Sequence, residues 1–223
     1  LPARLAEHTA SGAVRAVSCG SPLLYRAENP VFQVALLDVG VRQATLRALL
    51  EQGCDITVLP WDTPPQQVLA QNPDGILLCG GPGNPAENPQ LIENLKALMQ
   101  SGVPLLGIGL GHQLMALAGG AQTQKMKHGH RGANHPVRDL ARGRVSITSQ
   151  NHGYEVIGGS LPAHMGEVSY VSVSDGGCQG IRYRGIPAFS VQFQPETYGN
   201  PRDAAHPFCQ FITMMKEAGK PCR

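Results

Sequence analysis

Between residues 31 and 109 the chain repeats one pattern: a short run rich in β-branched and aliphatic residues that ends in glycine or proline, then a stretch with apolar residues at helical spacing. The runs are "VFQVALLDVG", "CDITVLP", "DGILLCGGPG" and "VPLLGIG", and the helical stretches include "RQATLRALLEQG" and "PQLIENLKALMQSG". Strands that alternate with helices pair in parallel, because each crossover returns the chain to the same edge, and the helices then cover both faces of the sheet. After a further helix at about 111–119 the connections shorten. "AQTQKMK", "RVSITSQN", "EVSYVSVS", "CQGIRYR" and "PAFSVQFQ" read as strands, part extending the sheet and part forming an antiparallel flap. The end, "DAAHPFCQFITMMKEAG", has the spacing of a last amphipathic helix, with Met214 and Met215 read as core and surface of one helix rather than an interface. Residues 1–30 have weak periodicity and the turn-forming "GSP" and "ENP", and are expected to be a linker or N-terminal arm, with the domain at 31–223.

In open parallel sheets, ligands sit beyond the carboxyl ends of the strands. Three loops leave such ends: "DVG" at 38–40, "CGGPGNP" at 79–85 and "GIGLGH" at 107–112. Glycines in the second loop let backbone N–H groups face a cavity, and prolines fix its shape. The third loop opens a helix whose free N–H groups and dipole favour negative charge. Together they outline an oxyanion pocket. A strand, tight turn and helix of this kind often carries a nucleophile at its tip, yet the residue there is Gly109.

Charge and cysteine content narrow the function class. Eighteen basic and sixteen acidic residues leave a net charge of +2 with no like-charged block, so neither nucleic acid nor an anionic membrane is an expected partner. No apolar run is long enough to cross a bilayer, and the first twenty residues lack the apolar centre of a secretory signal, so the expected location is the cytoplasm. The six cysteines lack a C-x-x-C pair and are read mostly as small buried residues.

With these stretches side by side, the chain resembles the class I glutamine amidotransferase family, and more narrowly the C-terminal half of carbamoyl phosphate synthetase small subunits. The likeness rests on "NPDGILLCGGPGNPA", "VPLLGIGLGHQLMALAGGA", "TQKMKHGHRGANHPV", "ITSQNHGYEV", "LPAHM", "QGIRYRGIPAFSVQFQPE" and "DAAHPF", in order over residues 33 to 216. It implies an α/β fold of three layers, flavodoxin-like, with a mostly parallel central sheet and a small antiparallel flap. It also implies a reaction: a cysteine thiolate attacks the glutamine side-chain amide, a histidine shuttles protons, a glutamate orients the histidine, and two backbone N–H groups hold the oxyanion. In the family the ammonia released passes to a large synthetase subunit. No cofactor is implied.

Carried over position by position, the resemblance makes Gly81 and Leu110 the oxyanion donors. Gln113, Asn151, Gly153 and Tyr154 become the residues that hold the substrate, and Glu196 the orienting acid. The nucleophile position, however, is Gly109, and the histidine position in "QFQPE" is Gln194. The family's usual "HPEASPGP" is replaced by "QPETYGNP", and the small subunit's N-terminal domain is not in this sequence. These departures favour a pseudo-glutaminase: a domain that keeps a pocket for glutamine or a related amino acid and has lost the cysteine–histidine chemistry. A large synthetase subunit is the candidate partner, weakened by the missing domain. The alternative is different chemistry in the same pocket, non-covalent or metal-assisted. Its candidates are Cys79, one residue before the oxyanion loop, and the histidines His112, His128, His130, His135 and His152. The resemblance places all of these except His128 at positions where family members use no metal, so no metal site is expected and structural hydrogen bonding is the favoured role for them. Cys79 is expected in the core.

Overall fold

The sequence alternation is realised as a ten-stranded sheet with helices packed on both faces. The computed structural model describes residues 12–197 and 206–219. The elements in chain order are α1 (Ala13–Val17), β1 (Leu23–Tyr25), β2 (Phe32–Asp38), α2 (Gln43–Glu51), β3 (Cys54–Pro60), α3 (Pro65–Ala70), β4 (Gly75–Leu78), α4 (Pro89–Gln100), β5 (Leu105–Ile108) and α5 (Leu110–Ala118). There follow β6 (Thr123–Asp139), β7 (Val145–Val156), β8 (Gly166–Ser172), β9 (Cys178–Tyr183), β10 (Ala188–Val191) and α6 (Pro207–Glu217). The strand order is β1-β3-β2-β4-β5-β10-β9-β8-β6-β7.

The expected parallel core is present as β3-β2-β4-β5-β10. Its strands are buried on both faces, which is why they read as continuous apolar runs: β4 and β5 are buried at every residue. One face is covered by α1, α3, α4 and α5 through Val14, Val68, Leu95 and Leu114, the other by α2 and α6 through Leu46, Leu49, Phe208 and Phe211. The two methionines of α6 divide between core and surface, with Met215 in the core and Met214 partly exposed, the reverse of the expected order.

Two expectations need correction. The sheet is not mostly parallel, because it contains four parallel pairings and five antiparallel ones. The second half is not a small flap either: β9, β8, β6 and β7 continue the sheet from β10, and β6 alone is 17 residues long. The reason is connection length. The turns after α5 are too short for parallel crossovers, so each strand pairs antiparallel with a neighbour. The sheet also starts before residue 31, where the domain was expected to begin: β1 pairs with β3, and the Cys19 N–H donates to Asp38 Oδ2 at 2.8 Å. Of the expected arm, residues 12–30 are thus packed against the domain, and residues 1–11 lie outside the described residues.

Candidate functional site

The loops that leave β2, β4, β5 and β10 converge with the middle of β7 around one cavity of about 560 Å³. The parallel half supplies its floor and one wall from Gly40, Gly80, Gly81, Gly109 and Leu110, and β7 supplies the facing wall with Asn151, His152, Gly153 and Tyr154.

The backbone wall depends on glycine because the loops nearly touch. A Cβ at Gly81 would lie 1.8 Å from the Val39 carbonyl oxygen, and one at Gly40, whose φ is +128°, would lie 3.0 Å from the Gly80 oxygen. Asp38, buried at the end of β2, holds the first loop by accepting the Gly40 and Val41 N–H groups at 3.0 Å each. At the turn from β5 into α5, Gly109 has φ 59° and ψ −111°, a conformation that a residue with a Cβ adopts only under strain. Its N–H donates to Val191 O at 2.9 Å, which ties the turn to β10. A Cβ there would meet Gly80 Cα at 3.1 Å and nothing else closer than 3.8 Å. The turn therefore has space for a side chain, and α5 begins at Leu110 with its amide end directed to the same region.

The facing wall is made of side chains. Gln113, buried on α5, donates through Nε2 to the Tyr154 carbonyl at 2.7 Å and to Gln192 Oε1 at 2.8 Å. Two register shifts in the β6–β7 pairing, between Lys125 and His130 and between Gly132 and His135, bend the ribbon where the wall forms. Gly129 and Gly132, both with positive φ, sit at these irregularities.

The nine positions carried over from the resemblance, namely Gly81, Gly109, Leu110, Gln113, Asn151, Gly153, Tyr154, Gln194 and Glu196, line this cavity, and of the alternative candidates His152 does so as well. Gln194 follows β10, with its N–H donating to Ser149 O at 3.0 Å, so the position is tied to β7. The Glu196 side chain is only 5% exposed. Its Oε1 pairs with Arg42 at 2.9 Å and lies 3.5 Å from the Thr45 hydroxyl, while its Oε2 is buried without a hydrogen-bond partner among the described residues. Sequence reading missed Arg42, Thr45, Gln192 and Arg131, which also line the cavity. For Arg42 a signal existed: it is the N-cap residue of α2, directly after the first glycine loop.

Cys79 is fully enclosed in the core beneath the oxyanion loop, where burial, with Glu196 and Asp38 nearby, pushes its thiol far above its usual range. His112 is also enclosed; its Nδ1 contacts the Ser190 hydroxyl at 2.8 Å, and burial lowers its pKa to about 3. His130 and His152 are bound into side-chain hydrogen bonds on β6 and β7. Among the described residues no three His, Cys, Asp or Glu side chains are grouped to hold a metal ion, and no helix is long and apolar enough to cross a membrane.

Comparison with known proteins agrees with this architecture. Residues 35–214 match the family model for glutamine amidotransferase class-I. The carbamoyl phosphate synthase small chain of Symbiobacterium thermophilum is 44% identical over 205 residues, covering 92% of this chain and 56% of the relative. That of Bacillus caldolyticus is 46% identical over 188 residues, covering 84% and 51%. The chain thus spans about half the length of the curated relatives it matches. A solved structure from Thermoplasma acidophilum, described provisionally as one subunit of a GMP synthase, superposes with a TM-score of 0.71 at 25% identity, over 85% of this chain and 96% of the other. With a family model that spans most of its length and a fold that places the family's loops around one cavity, this chain belongs to the class-I glutamine amidotransferases.

Proposed function

We propose that this domain is a pseudo-glutaminase: it binds glutamine or a closely related amino acid in the cavity and does not hydrolyse it by the family's covalent route. The observation that carries this reading is the residue at the tip of the β5–α5 turn. The turn has the dihedral angles that present a nucleophile, and it carries Gly109. Among the described residues that line the cavity there is no cysteine or serine. The general-base position is Gln194, whose amide cannot take a proton from a nucleophile near neutral pH. Glu196, which in the family reading orients the histidine, is paired with Arg42.

What is kept supports binding. The Gly81 and Leu110 backbone positions, the Gln113 amide and the Asn151–Tyr154 segment share one cavity and suit a carbonyl or carboxylate group with polar neighbours. By the relatives' description as the small chain of a synthase, the partner implied for such a domain is a large synthetase subunit, here without the family's glutamine-derived ammonia. Calorimetric titration with L-glutamine, beside an assay for glutamate release, tests the reading. Saturable binding without glutamate release is expected. Release of glutamate by the unaltered protein sinks the pseudo-glutaminase reading, and absence of binding sinks the glutamine pocket.

A further inference from the structure

A chain of buried polar groups leads out of the cavity to a residue on the far side of the β6–β7 ribbon. Asp175, in the turn between β8 and β9, contacts His130 Nε2 at 2.8 Å through Oδ2. His130 Nδ1 and His152 Nε2 both lie 2.9 Å from Gln150 Oε1, whose Nε2 donates to the Thr148 hydroxyl at 3.0 Å, and His152 Nδ1 lies 2.8 Å from the Tyr154 carbonyl oxygen. That carbonyl is the one to which Gln113 donates inside the cavity. Gln150 and His130 are buried, and Asp175 is half exposed and does not line the cavity.

Donor and acceptor counting makes this chain directional. The Asp175 carboxylate only accepts, so His130 carries its proton on Nε2 and leaves Nδ1 as an acceptor. Gln150 must then take the flipped amide orientation, with its two NH2 hydrogens serving His130 Nδ1 and His152 Nε2, while its oxygen accepts from the Thr148 hydroxyl, which gives up its bond to the His135 carbonyl. His152, neutral, keeps its proton on Nδ1 and donates it to the Tyr154 carbonyl. Reversing the His130 tautomer reverses every step: Gln150 presents its oxygen, His152 takes its proton to Nε2, and the Tyr154 carbonyl loses that donor. Two further arrangements keep the oxygen inward. One pairs a cationic His130 with Asp175 beside a neutral His152 protonated on Nε2, which sets the His152 Nδ1 lone pair against the Tyr154 carbonyl. The other has two doubly protonated rings, which places two cations with ring centroids 5.1 Å apart in a largely buried site.

We propose that Asp175 is a positioning residue for the cavity: acting through His130 and Gln150, it fixes the tautomer of His152 and so the donor that holds the Tyr154 carbonyl beside Gln113. The effect on ligand binding rests on the glutamine-pocket reading above, but the tautomer chain does not. The surroundings of His152 favour its neutral form. Burial lowers His152 to about 4, opposed by its bond to Tyr154 and by the Asp175 charge, and reinforced by His130 and His135. His135 stacks on His130 at 4.8 Å, His112 faces His152 from α5, and the Arg131 guanidinium lies over Gly129 and Gly153. Against the upward push of partial burial, Ser172, the Gly177 N–H and His130 hold the Asp175 carboxyl below its usual range.

The test is 15N NMR of the full chain labelled at histidine and glutamine, at neutral pH. In the unaltered protein His152 is expected as the Nδ1–H tautomer and His130 as the Nε2–H tautomer. Asp175→Asn, which can donate as well as accept, is expected to move His152 toward Nε2–H and to shift the Gln113 side-chain NH2 signal. Gln150→Glu, whose carboxylate only accepts, is expected to raise the titration of both rings, and it serves if Asp175→Asn fails to fold. Glutamine affinity in Asp175→Asn should fall on the order of tenfold, the size of effect expected from one lost hydrogen bond. An Nε2–H tautomer for His152 in the unaltered protein, or unchanged His152 and Gln113 signals in both variants, overturns the proposal. If the unaltered protein binds no glutamine while the tautomers respond as expected, the pocket reading fails and the positioning chain stands.

Discussion

The two walls of the cavity are built by opposite means. On the parallel side, the loops after β2, β4 and β5 approach so closely that glycine is required, and the wall is backbone held by backbone contacts. On the antiparallel side, β6 and β7 supply a wall of buried amides and imidazoles held by side-chain hydrogen bonds. The first wall leaves little room to gain atoms at Gly40 and Gly81. The second tolerates small changes in shape but depends on each donor finding an acceptor. Altering the first should therefore act through steric collision and be insensitive to pH, whereas altering the second should act through unsatisfied polar groups and protonation.

The largest effect is expected from Gly81→Ala. Its methyl would lie 1.8 Å from the Val39 oxygen, a backbone atom, so the loops must separate. We expect a loss of more than about 4 kcal/mol in urea unfolding, beyond the range of most single substitutions, or failure to fold. A stable Gly81→Ala protein would show that the loops are looser than the close approach requires. On the other wall, Gln150→Leu strands His130, His152 and Thr148 without their shared partner. A loss of about 2 to 3 kcal/mol is expected from the unpaired buried groups, again by urea unfolding.

Gly109→Ala is smaller, because the collision is mild and the cost is mainly the strained backbone, about 1 to 2 kcal/mol. A neutral or stabilising result would mean that the turn relaxes and does not keep an elbow conformation. A further effect is one of pH. His112 and His152 titrate in the fold near 3 and near 4, both below the ordinary 6.5, mainly because burial disfavours the cation. The unfolded chain therefore binds more protons below pH 6.5. Their contribution to stability is complete above that pH and declines as the pH falls toward about 4. Urea midpoints at pH 7 and pH 5 should differ in this direction, and the difference should shrink in Gln150→Glu, where both rings of the chain charge more readily.

The parallel core was legible because its strands and helices carry different periods, and each strand of it ends in a glycine or proline loop. The positions lining the cavity were legible through the family resemblance, since the loop motifs are contiguous in sequence. The extent of the antiparallel half was not. β6 and β7 are long ribbons whose polar faces carry Gln150, His130 and Thr148 where apolar alternation would be expected, so only their starts, in "AQTQKMK" and "RVSITSQN", read as strands and their full length did not. β1 is three residues long and has no period to detect. Arg42 and Asp175 were missed because their relation to the cavity depends on contacts across 154 and 45 residues of chain, Glu196 to Arg42 and Asp175 to His130.

The most direct measurement is glutamate release from L-glutamine by the Gly109→Cys, Gln194→His double variant beside the unaltered protein. A Cβ at the elbow meets only Gly80 Cα closely, at 3.1 Å, and Glu196 stands two residues after the histidine position. Turnover by the double variant and none by the unaltered protein is expected if an intact glutamine pocket has lost only its reactive groups. Turnover by the unaltered protein would contradict that directly, as would a folded double variant that neither binds nor hydrolyses glutamine.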